Sequence, residues 1–281
     1  MAPFIDINCH LFTAQGDRTK IFRQLVAAPD VRAIVVSGAD LKLDHSPAFP
    51  YMSSCFRTTN EEVLRLVERV KSSRLIPFCF IDPTEETAVR DLEAFVTRRG
   101  MKGVKMYPPR GWHVDDPRAM RVFEAAQAVN VPVFLHMGRT APHPQLDSNF
   151  GRPLRLEKVG LRFPKLKVLI GHFASPWTAE ALEIALGFPN FFLDLSTSGA
   201  WDVPLLRRVA QHPDFYPPDH GLKRLVYGSN GDGENNLAIA ARVRAALLNS
   251  GFNEEECDTI FLRNAARILG LSWVETADER G

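Results

Sequence analysis

The feature that most constrains the fold is a regular alternation of short apolar runs with longer amphipathic segments. Runs rich in β-branched and aromatic residues recur eight times along the 281-residue chain. Each is short and mostly apolar, as strands buried on both faces of a parallel sheet are. The predicted strands cover residues 4–8, 32–37, 75–82, 103–107, 131–136, 167–172, 191–196 and 224–229.

Segments with helical periodicity separate these runs. The first begins on polar Thr59 and Asn60 and then places Val63, Leu66 and Val70 on one face. The predicted helices cover residues 59–73, 85–99, 117–130, 154–163, 178–187, 203–212, 234–250 and 254–269. An open doubly wound sheet would give the same local pattern, but the count of eight favours an α/β fold of the (β/α)8 TIM-barrel type. Because no linker divides the chain, residues 1–281 are predicted to form a single domain.

Composition narrows the class of partner. The chain has 34 Lys plus Arg against 33 Asp plus Glu, and this net charge of +1 gives no reason to expect nucleic acid. No apolar run approaches membrane-spanning length, and the N-terminus lacks the pattern of a signal peptide. The four cysteines are scattered, as reduced thiols of a cytoplasmic protein are. We therefore expect a cytoplasmic protein that acts on a small molecule, with no membrane partner.

Polar side chains stand where several predicted strands end. In a barrel these ends converge on one mouth, where catalytic residues lie. The residues concerned are Asn8 and His10 for strand one, His136 for strand five, His172 for strand six and Asn230 for strand eight. In strand one, the two-residue period predicts that Asp6, Asn8 and His10 share one face and that Cys9 lies on the other. The first set is therefore expected to face the barrel axis.

The chain resembles the amidohydrolase superfamily, in its amidohydrolase-related branch of metal-dependent hydrolases and decarboxylases. The resemblance covers essentially the whole chain and rests on the segments IDINCH, GVKMYPP, VPVFLHMG, RFPKLKVLIGHFASPW, RLVYGSN and FLRNAARILGL. In that family, strand one reads H-x-H, strands five and six each end in His, and strand eight ends in Asp. His10, His136 and His172 match this pattern, whereas Asn8 replaces the first His and Asn230 replaces the Asp.

The resemblance implies a role for each matching residue. His10 and His136 would bind one Zn²⁺ or another divalent metal, with Asn8 or Asn230 supplying a third ligand, and His172 would orient water as a catalytic residue. Asn230 occupies the catalytic position of strand eight, but an amide is a neutral ligand and no base. Three explanations of the asparagines stay open: lost activity, introduced substitutions, or a pocket that works without metal. In the last, Asn8 and Asn230 hydrogen-bond the substrate.

Further side chains predict an anion-binding rim. Lys105 and Tyr107 share one face of strand four, Arg110 follows in the next loop, and Arg139 lies three residues after His136. A guanidinium suits a substrate carboxylate, although ordinary surface charge explains the two arginines equally well.

Three acids stand near strand ends and could replace the missing carboxylate. They are Asp82, Asp194 and Asp232, and each also has a structural explanation as a helix cap or a buried partner.

The stretch from Gly38 to Thr58 carries Phe49, Tyr51 and Phe56 and is expected to cover the mouth as a lid or to form a subunit contact. The second of these leaves a homo-oligomer open.

Three functions follow. The first hypothesis is an amidohydrolase-like hydrolase that cleaves a lactone, ester or amide bond in a small carboxylated substrate. The second is a decarboxylase of an aromatic or muconate-type acid, because related barrels use nearly the same ligands for it. The third, from a different class, is a catalytically inactive barrel that binds a metabolite or a partner.

Overall fold

Parallel strands arranged in chain order form the centre of the molecule. The computed structural model describes residues 2–12, 15–197, 203–210 and 221–272. The strands within these ranges are β1 Phe4–His10, β2 Val31–Ser37, β3 Ala39–Asp40, β4 Arg57–Thr58, β5 Leu75–Phe80, β6 Val104–Met106, β7 Val133–Leu135, β8 Val168–Ile170, β9 Phe191–Asp194 and β10 Leu225–Val226. Strands β1, β2 and β5 to β10 form one eight-stranded sheet, each pairing in parallel with its neighbour.

The two edges of this sheet meet, which closes the barrel. Cys9 of β1 forms a parallel bridge with Gly231, just beyond β10, and the Ile7 amide donates to the Tyr227 carbonyl at 3.1 Å. A doubly wound sheet would leave both edges apart, so the (β/α)8 barrel is confirmed and the open alternative is excluded.

Helices follow the strands and pack around them. They are α1 Thr19–Ala27, α2 Pro50–Cys55, α3 Asn60–Val70, α4 Ala88–Glu93, α5 Pro117–Ala128, α6 Leu156–Arg162, α7 Thr178–Gly187, α8 Val203–Ala210, α9 Asn236–Asn249, α10 Glu254–Asp258 and α11 Asn264–Leu269. Short π-helical segments, Ala94–Arg98 and Thr259–Arg263, extend α4 and join α10 to α11. The predicted helices agree in position, and residues 211–212 of the prediction lie outside the described ranges.

Two apolar layers hold the barrel together. The larger lies between the strands and the helices and includes Phe4, Phe22 and Phe123. The smaller fills the barrel interior with side chains such as Phe78 and Phe134. Ala265, Ala266 and Ile268 of α11 belong to this inner layer, so α11 closes the end of the barrel opposite the mouth.

Helix α1 was not among the predicted helices. Its apolar face buries Phe22, Leu25 and Val26, but Arg18 at its N-cap makes no side-chain capping bond. The Asp17 carboxylate nevertheless accepts a hydrogen bond from the Thr19 backbone amide at 2.9 Å, so the sequence does carry a polar start signal that the prediction overlooked.

The segment from Gly38 to Thr58 is also more regular than a loop. It contains α2 between β3 and β4, which pair antiparallel.

Within the described ranges, no helix is both long enough and apolar enough to cross a bilayer. A single domain over residues 1–281 stays a prediction, since the described ranges do not include the whole of that span.

Candidate functional site at the carboxyl ends of the strands

A shift of register in β1 determines which of its polar residues reach the mouth. The pairing of β1 with β2 slips between Asp6 and Cys9. Asp6 and Cys9 consequently lie on the same side, where the Asn236 side-chain amide donates to both, at 2.8 and 3.2 Å. The expectation that Asp6 shares a face with Asn8 and His10 was wrong, because an irregularity of this kind breaks the two-residue alternation. Asn8 and His10 do reach the mouth.

The two asparagines meet each other and His10. The Oδ1 atom of Asn230 lies 2.9 Å from Nε2 of His10 and 3.5 Å from Nδ2 of Asn8. The Asn230 backbone amide also donates to the Asn8 carbonyl at 2.8 Å, and Asn230 adopts a positive φ of 54°. Contacts across the closing edge of the barrel therefore hold the two amides in place.

His172 is held through both of its ring nitrogens. Its Nδ1 lies 2.8 Å from the Ser196 hydroxyl, and its Nε2 lies 3.0 Å from Nδ1 of His136. His172, Phe173 and Ala174 follow β8 with positive φ angles of 56°, 51° and 50°. Left-handed conformations cost energy for residues other than glycine and are often found at functional sites. This turn directs the His172 ring toward His136.

A buried acid and a buried base flank Asn8. Asp194, at the end of β9, accepts from the Ser196 hydroxyl and from the His172 backbone amide at 3.1 Å. Nδ2 of Asn8 donates to the same carboxylate at 3.3 Å, and its Oδ1 accepts from the Lys105 ammonium at 3.0 Å. Burial raises the pKa of Asp194 and lowers the pKa of Lys105 to about 7. The Asn8 amide thus links the buried acid to the buried base.

The three histidines are neutral at neutral pH. Burial lowers the pKa of His10 to about 3 and holds the pKa values of His136 and His172 well below the ordinary value, and the Lys105 charge adds to each effect. Nδ1 of His10 and Nε2 of His136 are buried and have no hydrogen-bond partner among the described residues. Each of these two imidazoles therefore keeps one nitrogen uncommitted.

These side chains surround a cavity of about 230 Å³ at the mouth. The three histidines, Asn230 and Arg139 line it together with three aromatic residues, Phe12 just beyond β1 and Tyr51 and Phe56 of the α2 segment. Phe12 stacks on His10 with ring centroids 5.5 Å apart and lies edge-on to Phe56 at 5.4 Å. The expected lid segment therefore supplies part of the wall, through Tyr51, Met52 and Phe56.

Of the four residues of the predicted anion-binding rim, Tyr107 and Arg139 line the cavity, whereas Lys105 and Arg110 do not. Tyr107 lines the cavity, stacks on His136 at 4.1 Å and hydrogen-bonds Thr140 at 2.5 Å. Lys105 is only 2% exposed and does not line the cavity. Arg110 lies in a 3-10 turn outside the lining, whereas Arg139 lines the cavity, is exposed and has no ion pair among the described residues.

The donor set does not fit a resident metal ion. No three His, Cys, Asp or Glu side chains of the described ranges are grouped to hold one. The Asn8 oxygen faces an ammonium, and the Asn230 oxygen faces His10. The nearby carboxylate, Asp194, contributes at most one negative charge and lies across Asn8 from the Lys105 amino group, so the cluster carries no excess negative charge to attract a divalent cation. The assignment of His10 and His136 as metal ligands stays a prediction.

Comparison with known proteins identifies the family. The family model described as amidohydrolase matches residues 52–271. The chain belongs to the amidohydrolase family. As an amidohydrolase it keeps the three strand-end histidines and lacks the first histidine and the aspartate expected from the resemblance. No curated protein sequence matches it.

Solved structures similar to this amidohydrolase share its fold. An uncharacterised TIM-barrel protein from Bordetella bronchiseptica has 18% identity and a TM-score of 0.70, over 95% of this chain and 98% of the other. The 2,6-dihydroxybenzoate decarboxylase from Rhizobium has 17% identity and a TM-score of 0.66, over 96% of this chain and 99% of the other. Dihydroxybenzoic acid decarboxylase from Polaromonas sp. JS666, solved with manganese and 2-nitroresorcinol, has 18% identity and a TM-score of 0.65, over 96% of this chain and 98% of the other.

Sequence reasoning missed Ser196 and understated Asp194. Both lie at the end of β9, where the family resemblance gives no histidine or aspartate. An acid and a serine separated by one residue at a strand end, Asp194-Leu195-Ser196, was the available signal. Phe12 was also missed, because the chain beyond β1 carries no periodic pattern.

Proposed function

We propose that this amidohydrolase binds a small aromatic carboxylic acid in the mouth of the barrel and removes its carboxyl group. The observation that carries the proposal is a cavity that combines aromatic walls with neutral imidazoles and one exposed arginine without an ion pair among the described residues. Solved structures of the same fold named as dihydroxybenzoate decarboxylases support this second hypothesis over hydrolysis.

The walls suit a planar ring. Phe12, Phe56 and Tyr107 offer ring faces or edges, and aromatic pairs are favourable beyond the apolar area that they bury. A cavity of about 230 Å³ is small and matches a single substituted ring. Arg139 supplies a planar fork for a carboxylate at the rim. The substrate class is therefore a one-ring acid.

Decarboxylation consumes one proton. A proton adds to the ring carbon that bears the carboxylate, the bond to the carboxyl carbon breaks, and its electron pair restores the aromatic ring as CO₂ leaves. His10 and His136 each have an uncommitted ring nitrogen, so either imidazole can carry the proton. Burial keeps these imidazoles neutral, and a bound anion favours their protonated form. The bound substrate thus favours protonation of the imidazole that then donates the proton to its ring.

Hydrolysis finds less support in the same geometry. Attack by water needs a base, and because the Asn230 amide cannot act as one, that task falls to the uncommitted imidazole nitrogens of His10 and His136. Asp194 is fully buried and accepts hydrogen bonds from Ser196, Asn8 and the His172 backbone, so its oxygens are committed.

A catalytically inactive barrel that binds a metabolite is the second candidate. The observation that favours it is the pairing of Asn8 with Lys105 and Asp194 and of the Asn230 oxygen with His10, which satisfies the Asn8 amide and the Asn230 oxygen without a ligand.

The test is to incubate purified protein, treated with a chelator, with a panel of hydroxybenzoates labelled with ¹³C at the carboxyl group, and to follow labelled CO₂. Release that depends on His136, measured with His136→Gln and with the exposed control His45→Gln, supports the proposal. Saturable binding without CO₂ release supports the inactive barrel. Cleavage of esters or lactones, without CO₂ release, would instead support the first hypothesis, that the protein is a hydrolase.

A further inference from the structure

The ammonium group of Lys105 is buried at the centre of the strand-end cluster. We infer that Lys105 is the built-in cation of this site and that it keeps a divalent metal ion out, with Asn8 adapted to its presence. The inference concerns metal binding and does not depend on the reaction proposed above.

The fold holds the Lys105 amino group in a fixed position. Its side chain is 2% exposed, and its Nζ donates to Oδ1 of Asn8 at 3.0 Å. Nζ also lies 3.6 Å from the centroid of the Phe134 ring, within cation–π range. The opposite charge of Asp194 acts on it through the Asn8 amide, which donates to that carboxylate.

Asn8 suits this role better than a metal-ligating histidine. An amide offers an oxygen to the ammonium and an NH₂ group to acceptors, and Asn8 uses both, with Nδ2 directed at Asp194 and Ser196. A histidine at position 8 would lie beside the ammonium, and its ring lone pair would accept from Lys105 instead of binding a metal ion. Restoring the family's ligands therefore cannot by itself restore a metal site.

The same conclusion follows from charge. A divalent ion placed beside an ammonium in a poorly solvated site meets strong repulsion. Asp194 contributes at most one negative charge beside Lys105, which cannot offset both cations. Removing the ammonium should release that carboxylate charge to favour a metal ion.

The experiment compares three variants by calorimetric titration with MnCl₂ and with ZnCl₂ alone, without substrate. The first is Asn8→His/Asn230→Asp, which restores the family's ligands and keeps Lys105. The second adds Lys105→Met, which preserves side-chain length and removes the charge. The third adds Lys102→Met instead, removing an exposed lysine that precedes the same strand.

We expect one equivalent of metal to bind to the Lys105→Met variant on the order of a hundredfold more tightly than to the other two. Tight binding by Asn8→His/Asn230→Asp with Lys105 intact would overturn the inference. So would equal binding by the Lys102→Met variant, or weak binding by all three.

Circular dichroism and thermal unfolding establish that each variant is folded. Should Lys105→Met not fold in this background, Lys105→Gln replaces it, because glutamine keeps a donor for the neighbouring oxygen without a charge. The Asn8→His/Asn230→Asp variant can overturn the inference without the other two. If it binds metal tightly while Lys105 is present, Lys105 does not keep the metal out.

Discussion

Nε2 of His172 lies 3.0 Å from Nδ1 of His136, so one of these two imidazoles donates a hydrogen bond to the other. His172 is engaged at its other nitrogen by Ser196, whereas Nε2 of His136 has no partner among the described residues. The two histidines occupy equivalent positions at strand ends, but their hydrogen bonds differ and so distinguish them. In the proposed reaction, His172 would orient its neighbour and His136 would use its unpaired nitrogen for proton exchange.

The neutral imidazoles predict that ligand binding takes up protons. An anionic ligand in the cavity stabilises imidazolium, so the pKa of His10 or His136 rises on binding. Calorimetric titration of a hydroxybenzoate near pH 6 in buffers of different ionisation enthalpy should give an uptake of up to one proton. The variant His136→Gln should take up less, and His45→Gln should match the wild type. Proton release on binding would contradict the charge assignment.

Stability should fall as the pH falls, in part because of His10. The unfolded chain protonates this histidine near its ordinary pKa of 6.5, whereas the folded protein does so only at about 3. The stabilisation is complete above pH 6.5 and is lost progressively from there down to about pH 3, by about 1.4 kcal/mol per pH unit. Urea unfolding at pH 6.5 and 5.5 should therefore show a smaller loss for His10→Gln than for wild type.

Asp6 works in the opposite direction. Burial raises its pKa to about 6, so its contribution is present below its ordinary value of 3.8 and is lost as the pH rises through 6. The comparison of His10→Gln with wild type cancels this contribution, and His45→Gln provides the exposed control. Equal pH dependence in all three proteins would be inconsistent with a neutral buried His10.

Arg139 should set the affinity for the carboxylate. Removing a charged hydrogen bond costs about 1.5–3 kcal/mol, so Arg139→Ala should weaken binding of a benzoate by about 10- to 150-fold. The corresponding phenol, which has no carboxylate, should bind almost unchanged. Arg110→Ala is the matched control, because Arg110 lies outside the cavity lining. Equal losses for the two arginine variants would remove Arg139 from the site.

Lys105 and Asp194 should be coupled in stability. Either Lys105→Met or Asp194→Asn leaves a buried charge without its counterpart, which costs about 3–5 kcal/mol. The double variant should lose less than the sum, with a coupling energy of about 1–3 kcal/mol measured by urea unfolding. The exposed pair of Lys42 and Glu85, 2.7 Å apart, serves as the control and should couple by less than about 1 kcal/mol. Additive losses for the buried pair would argue against their linkage through Asn8.

The barrel could be predicted from sequence because its strands and most of its helices are local patterns. Apolar runs of the right length, separated by amphipathic segments, predicted every barrel strand to within a few residues. Helix α1 was overlooked, although Asp17 marks its start and Phe22, Leu25 and Val26 form its buried face. The five strand-end polar residues could be placed at one mouth for the same reason, since parallel strands bring their C-terminal ends together.

The sequence by itself determined the family, the barrel and the presence of asparagine where a histidine and an aspartate are expected. Only the tertiary structure decided what those asparagines contact. The slip of register that turns Asp6 away from the mouth depends on pairing between strands, and so does the meeting of Asn8 with Lys105, 97 positions along the chain. Periodicity describes one strand at a time, whereas hydrogen bonds and buried charges depend on distances between strands, and these arise only when the barrel closes.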